Sequence, residues 1–320
     1  MILLRKTLMK SIRIISPAGA LDAAIIEQAA ERLRAQGFEV RLAPHACGRW
    51  GRFAGTPEER TADAVDALTD ANVGLVLCTR GGYGLQQIID SIEQGVRERA
   101  YNGAAVCGFS DVTELHQLIA RLGGTSIHGI MCKPIATLPD DANPWLALQR
   151  LLRGLPVAYS VEPSVLNREG GVTGVLRGGN MAVLCGLSGT PYDIRLSIER
   201  DRQQGRRTIL FLEDVGEYHY KIDRMMHQLR LSGVLGMIGG LVVGQFADCD
   251  DDAEMGCSLQ ESIAAAVKEY EYPVLFGFPA GHVVENMPLV FGTEATLTVT
   301  KKAGLLTCSA LPLGLEPRTP

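Results

Sequence analysis

The chain has 320 residues, 46% of them apolar and 21% charged, with a formal net charge of −5. At roughly 150 residues per domain this length predicts two globular domains, each large enough to bury a core. The acidic balance gives no electrostatic footing for nucleic acid or an anionic membrane as partner, while leaving a small substrate open.

In chain order, the N-terminal MILLRKTLMK is too short and too charged for a signal peptide. It reads as a frayed extension, with Met9 a candidate natural start that would leave residues 1–8 outside the native chain. Ile12–Ser16 is a β-branched strand ending at Pro17-Ala18-Gly19. Asp22 to Ala35 is an amphipathic helix with Ile25, Ala29 and Leu33 on one face. Phe38–Leu42 is a second strand. Pro57–Leu68 is a helix, capped by Thr56 and opened by Pro57. Val73–Cys78 is a continuous apolar strand running into Arg80-Gly81-Gly82-Tyr83-Gly84. Ala104–Cys107 is another, running into Gly108-Phe109-Ser110-Asp111. Val112–Arg121 follows as a helix and Thr125–His128 as a short strand. Apolar strands alternating with helices predict a parallel sheet covered on both faces, with functional loops at the strands' carboxyl ends.

Pro156 to Gly174, broken by Pro163 and Gly170-Gly171, reads as a crossover between domains. The expected division is 10–155 and 172–320. The second half predicts strands at Thr208–Glu213, Leu241–Phe246, Val274–Phe278, Ala295–Thr300 and Leu305–Ala310, and a helix at Tyr220–Leu231. The expectation is a smaller, β-rich domain, partly antiparallel or barrel-like. The tail from Pro312 to Pro320 reads as loosely held. The eight cysteines, Cys47, Cys78, Cys107, Cys132, Cys185, Cys249, Cys257 and Cys308, include no CxxC. Several sit in apolar runs, which fits buried thiols in a reducing compartment. No apolar stretch approaches the ~20 residues of a membrane helix. A cytoplasmic protein is the simplest expectation.

Four places carry chemistry. Ser110 sits on a strand–turn–helix, where a nucleophilic oxygen is exposed and helix amides face developing charge. Val112 replaces the second glycine of the usual elbow, and a helix-capping serine fits the same pattern. The glycines of 80–84 let backbone amides approach a ligand, as half of an oxyanion hole or as an ordinary turn. Neither GxGxxG nor GxxxxGK[ST] is present, which weakens a phosphate-loop reading. Glu213 ends the apolar strand TILFL, a poor place for a carboxylate that only packs. Asp214 and Glu217 compete with it for the task of orienting a histidine. His282 follows a strand and Gly281; His116 and His227 lie in helices and His219 in a polar turn. A histidine in such a loop is the natural base for a serine, or a structural residue. Ser110, Glu213 and His282 fall in one chain order of a working triad.

The segments SPAG (16–19), RGGYG (80–84), GFSD (108–111), LRGGN (176–180), LEDVGEYHYKIDRM (212–225) and GH (281–282) resemble the LD-carboxypeptidase family of serine peptidases, in order and over nearly the whole chain. The resemblance implies a flavodoxin-like N-terminal domain and a smaller β-rich C-terminal one. It implies a Ser110–Glu213–His282 triad, cytoplasmic recycling of murein tetrapeptides by removal of their terminal D-alanine, a homodimer, and neither metal nor cofactor. Asp111 and Gly81 or Gly82 are expected to supply oxyanion amides. Arg80 is a candidate for the substrate's terminal carboxylate. A sibling activity, hydrolysis of acylated aminoacyl nucleotides as in microcin self-immunity proteins, uses the same triad. The aromatic content of 6%, with Trp50 and Trp145 the only tryptophans, leans away from it. A phosphate-binding flavodoxin-like module is the non-enzymatic alternative, and it leaves the order of Glu213 and His282 unexplained. A cysteine-based hydrolase would need Cys at position 110.

Overall fold

The computed structural model describes residues 10–315. The predicted extension over the first ten residues thus lies almost wholly outside the described part, as do residues 316–320. The strands are β1 Ser11–Ile15, β2 Val40–Leu42, β3 Val73–Cys78, β4 Ala105–Gly108, β5 Ser126–His128, β6 Val157–Val161, β7 Gly170–Asn180, β8 Thr208–Val215, β9 Gly240–Ala247, β10 Val274–Leu275, β11 Leu289–Phe291, β12 Glu294–Val299 and β13 Gly304–Cys308.

Two sheets result. The first runs β11-β5-β4-β3-β1-β2. Its five N-terminal strands are parallel, in the 2-1-3-4-5 order of flavodoxin-like folds, as the apolar strands predict. The burial of every residue of VGLVLC is what a sheet covered on both faces requires. The loops after β1 and β3 meet at the topological switch point, where Gly19 N donates to Gly81 O at 3.2 Å.

The second sheet runs β10-β9-β8-β7-β12-β13-β6. β7 to β10 are parallel, and β12, β13 and β6 add on antiparallel. The sheet is open, with β10 and β6 at its edges, so the barrel-like alternative does not apply.

Two segments depart from the expected division. Val157–Val161 lies inside the predicted crossover, yet pairs with β13 as an edge strand, where its alternating exposure suits it. Leu289–Phe291 belongs to the first sheet, antiparallel to β5. One core cluster accordingly draws on both sheets, including Ile12, Leu75 and Ile127 from one and Phe211, Leu275 and Leu306 from the other. The tail is held as far as it is described: Leu311, Leu313 and Leu315 are buried, and Lys10 N donates to Gly314 O at 3.1 Å. No helix among the described residues is long and apolar enough to cross a membrane.

Candidate active site

The strand–turn–helix at Ser110 forms as the sequence predicts. β4 ends at Gly108, Phe109 is extended, and Ser110 has φ of +68°. A side-chain-bearing residue in the left-handed region costs about 1–2 kcal/mol, and such strain clusters at functional turns. A short 3₁₀ turn, Ser110–Val112, precedes the helix Thr113–Arg121. The N-cap positions of these two elements fall to Phe109 and Val112, not to Ser110. The capping alternative for Ser110 therefore falls away.

The glycine loop reaches this turn. A Cβ on Gly81 would stand 2.8 Å from Ser110 Cβ and 3.1 Å from Ser110 Oγ. Only a residue without one allows that approach. Gly81 O is turned away, accepting from Gly19 N and from Arg80 Nε at 3.3 Å. A trans peptide opposes its C=O and N–H, so the Gly82 N–H points to the other side. Asp111 is buried and accepts from Leu85 N at 3.1 Å, pinning the far end of the loop to the turn. Burial pushes the Asp111 carboxyl up, against the Leu85 amide and Arg60.

The second sheet supplies the other pair. His282 Nδ1 and Glu213 Oε2 are 2.8 Å apart. Glu213 is wholly buried, while the His282 side chain is 20% exposed. A carboxylate on Nδ1 fixes the tautomer that leaves Nε2 to accept a proton. The β8–β9 register slips between Leu212 and Asp214, so a bulge sits at Glu213 and aims it. Strand alternation sends Asp214 the other way, to Asn180 Nδ2 and Ala182 N, both at 2.9 Å. Burial pushes Asp214 up to about 6, against the Val215 amide and Asn180. Glu217 pairs with Lys221 at 3.1 Å. Of the three competing carboxylates, Glu213 is the one on the histidine.

The two halves meet through Phe109. Its ring lies edge-on to His282 at 4.9 Å between centroids, one residue before Ser110. Among the described residues Ser110 Oγ makes no hydrogen bond to His282; such bonds often tighten only with substrate in place. Arg80 lies beside the site, exposed, with Nη1 donating to Ala20 O at 3.3 Å.

Several site residues carried no role in the sequence reading. Thr113 Oγ1 accepts from Asn180 N at 3.0 Å, which seats the LRGGN segment on the helix after Ser110. Gly179 permits this, since its Cβ would lie 2.5 Å from that oxygen. Buried Asn286 accepts from Gly281 N at 2.9 Å and so holds the His282 loop. Glu114 is buried, and desolvation pushes it up to about 8, with Asp111 adding to the shift. His219 is no polar turn: it is buried at a helix start, its Nε2 2.8 Å from Ser262 Oγ. Among the described residues no group of three or more His, Cys, Asp or Glu is placed to hold a metal ion.

Known proteins resemble the chain throughout. Residues 12–129 match the LD-carboxypeptidase N-terminal domain and residues 173–297 the LD-carboxypeptidase C-terminal domain. A putative carboxypeptidase of Streptomyces coelicolor is 33% identical, the match covering 89% of each chain. The murein tetrapeptide carboxypeptidase of Pseudomonas aeruginosa is 30% identical over 89% of this chain and 92% of its own. The crystal structure of muramoyltetrapeptide carboxypeptidase from Oxalobacter formigenes gives a TM-score of 0.81 at 25% identity, covering 95% of this chain and 100% of that one. An MccF-like protein from Bacillus anthracis shares the fold, with a TM-score of 0.77 at 23% identity over 94% of this chain and 97% of that one.

Proposed function

Because the chain belongs to the LD-carboxypeptidase family of serine peptidases, we propose that it releases the terminal D-alanine of murein tetrapeptides by cutting an L,D peptide bond. The observation that carries this reading is the Glu213–His282 hydrogen bond of 2.8 Å beside the Phe109-Ser110 turn.

In this reading Ser110 Oγ attacks the carbonyl carbon of the scissile amide and its proton passes to His282 Nε2. Glu213 holds the imidazole and stabilises its charged form. The amides of Asp111 and of Gly81 or Gly82 face the oxyanion; one such donor is worth about 10²–10³ in rate. The C–N bond then breaks, and His282 gives its proton to the leaving D-alanine amine. Water, deprotonated by His282, cleaves the acyl ester and restores Ser110. Arg80 is the candidate partner of the substrate's terminal carboxylate. The setting is cytoplasmic murein recycling by a homodimer.

The test is mass spectrometry of a murein tetrapeptide incubated with the wild type and with Ser110→Ala. Loss of one alanine with the wild type alone is the expected result. An intact tetrapeptide, with turnover of an aminoacyl nucleotide instead, would move the assignment to the microcin-immunity type of hydrolase.

A further inference from the structure

A second histidine lies at the junction of the two halves. His128 closes β5, in register with Gly108 of β4 on one side and with Leu289 of β11 on the other. Gly108 leads into Phe109-Ser110, and Leu289 follows closely on Asn286, which holds the His282 loop. The His128 ring is wholly buried. Other rings surround it: Phe211 at 5.0 Å between centroids, Phe109 at 5.7 Å and Phe291 at 5.9 Å. Phe109 therefore meets two histidine rings, His128 and, at 4.9 Å, His282.

Packing alone does not account for an imidazole in that place. Neither ring nitrogen makes a firm hydrogen bond among the described residues, and phenylalanine would fill a ring-lined space without burying polar atoms. Desolvation pushes the His128 pKa well below its ordinary value, and the neighbouring His116 and His282 push it the same way. His128 is therefore neutral, with one nitrogen carrying a proton and the other bare. The polar side chain within its reach is Asn286, at the margin of hydrogen-bonding geometry.

Asn286 has to face one way. Its Oδ1 accepts from Gly281 N at 2.9 Å, and its Nδ2 is buried and needs an acceptor. A protonated imidazole, which only donates, would draw Oδ1 to itself and turn Nδ2 against the Gly281 N–H, donor against donor. A neutral one selects the orientation that the turn before His282 requires. That turn has little slack: Gly281 takes φ of +132°, and a Cβ there would lie 2.9 Å from Glu213 Oε2. A neutral His128 also spares His282, which becomes cationic when it takes the Ser110 proton, the opposition of a second cation.

We propose that His128 is a positioning residue for the Glu213–His282 pair. Its bare nitrogen accepts from Asn286 Nδ2, which keeps Asn286 Oδ1 on Gly281 N and the His282 ring on Glu213, while its own ring packs on Phe109. It touches neither substrate nor reacting atoms. The inference rests on the peptidase reading above and adds the residue that sets the base at one remove.

The experiment measures kcat and KM on a murein tetrapeptide in a double-mutant cycle of His128→Phe and Asn286→Ala. His128→Phe keeps a ring against Phe109 and lacks the acceptor. It is expected to lower kcat by about 10–10²-fold at unchanged KM, as a small misplacement of a catalytic group does. In the Asn286→Ala background the same change costs less than about twofold, since the path through Asn286 is already gone. An unchanged kcat, a loss confined to KM, or losses that multiply in the double variant overturn the role. His128→Ala, which cannot overpack the site, is read in the same way where the phenylalanine variant does not fold. Ring-nitrogen NMR shifts of labelled histidine give a second readout that needs no substrate. His282 is expected as the Nδ1–H tautomer in the wild type and as a mixture of tautomers in the His128 variant. A single tautomer kept in the variant, or a mixture already present in the wild type, refutes the role. A wild type that leaves the tetrapeptide intact overturns the peptidase reading, and the tautomer then decides the role of His128 by itself.

Discussion

Gly81→Ala puts the geometry of the Ser110 turn, and the role proposed for it, to a direct test. The added methyl would lie 2.8 Å from Ser110 Cβ, 3.0 Å from Phe109 O and 3.1 Å from Ser110 Oγ. Carbon atoms sit comfortably at about 3.5–4.0 Å, so roughly 1 Å of relief is needed. The obstacle is the Ser110 side chain at its root and the backbone before it, not the loose end of a long side chain. Gly81 has no positive φ, so its conformation accepts alanine and the clash alone is at work. A displacement of about 1 Å at the reacting atoms costs about 10²-fold in rate, and overpacking costs about 1–3 kcal/mol of stability. The expected result is a kcat on a murein tetrapeptide lowered about 10²-fold, with a Tm only a few degrees down. Gly103→Ala is the control. Its φ is +80° with nothing within 4 Å, so it loses a similar amount of stability far from any clash. A Gly81→Ala enzyme within threefold of the wild-type kcat would refute the close approach, and with it the use of this loop as oxyanion donor.

Three other substitutions probe the pair on the second sheet and the carboxylates under the turn. Glu213→Gln keeps the shape but not the charge that stabilises an imidazolium, and should lower kcat by about 10⁴ with little change in KM; kinetics on the purified variant decide it. Asn286→Ala leaves the Gly281 N–H buried without its acceptor at 2.9 Å, which costs about 1–3 kcal/mol in thermal melts and lowers kcat as His282 loosens from Glu213; a full kcat would sink the positioning role. Glu114 is raised to about 8, so between about pH 4.5 and 8 the folded chain keeps a proton that the unfolded chain has released, and stability falls as pH rises through that window. Glu114→Gln removes the effect, and its Tm advantage over the wild type should grow from pH 5 to pH 8; a difference flat in pH would count against a buried, protonated Glu114.

The first sheet was legible because its strands are buried on both faces and therefore read as unbroken apolar runs, VGLVLC above all. The loops after them were legible through glycines that close approach demands, as at Gly81. The second half yielded less. β6 is half-exposed at a sheet edge, between prolines, so its sequence VAYSV carries only a weak alternating signal. β11 is three residues long and pairs with β5 across more than 160 positions, which no local pattern reveals. His219 stands amid Glu217, Tyr218 and Tyr220, a polar setting that hid its buried bond to Ser262. The choice of Glu213 over Asp214 needed the side of the sheet each faces, and the bulge at that position makes counting by twos unsafe. Thr113, Asn180 and Asn286 act through contacts between distant segments, and their residue types say nothing of those partners.

The strand that sequence could not place also decides how the site is assembled. Ser110 follows β4 of the first sheet and Glu213 stands in β8 of the second, which suggests a cleft that could open between two bodies. The His282 loop is fastened at both ends against such opening. Before His282, Phe278 N donates to Val243 O at 3.1 Å and Gln245 N to Ala280 O at 2.9 Å, which ties it to β9. After it, β11 pairs Leu289 with His128, Val290 with Ile127 and Phe291 with Ser126, which ties it to the sheet that leads into Ser110. Thr113 and Asn180 add a bond across the same junction. Parting Ser110 from His282 would mean unzipping β11 from β5 and opening a core that both sheets share. That would cost many buried contacts, each felt because interiors are close-packed. The remaining adjustment between Ser110 and His282 therefore belongs to the side chains around Phe109, not to a motion of domains.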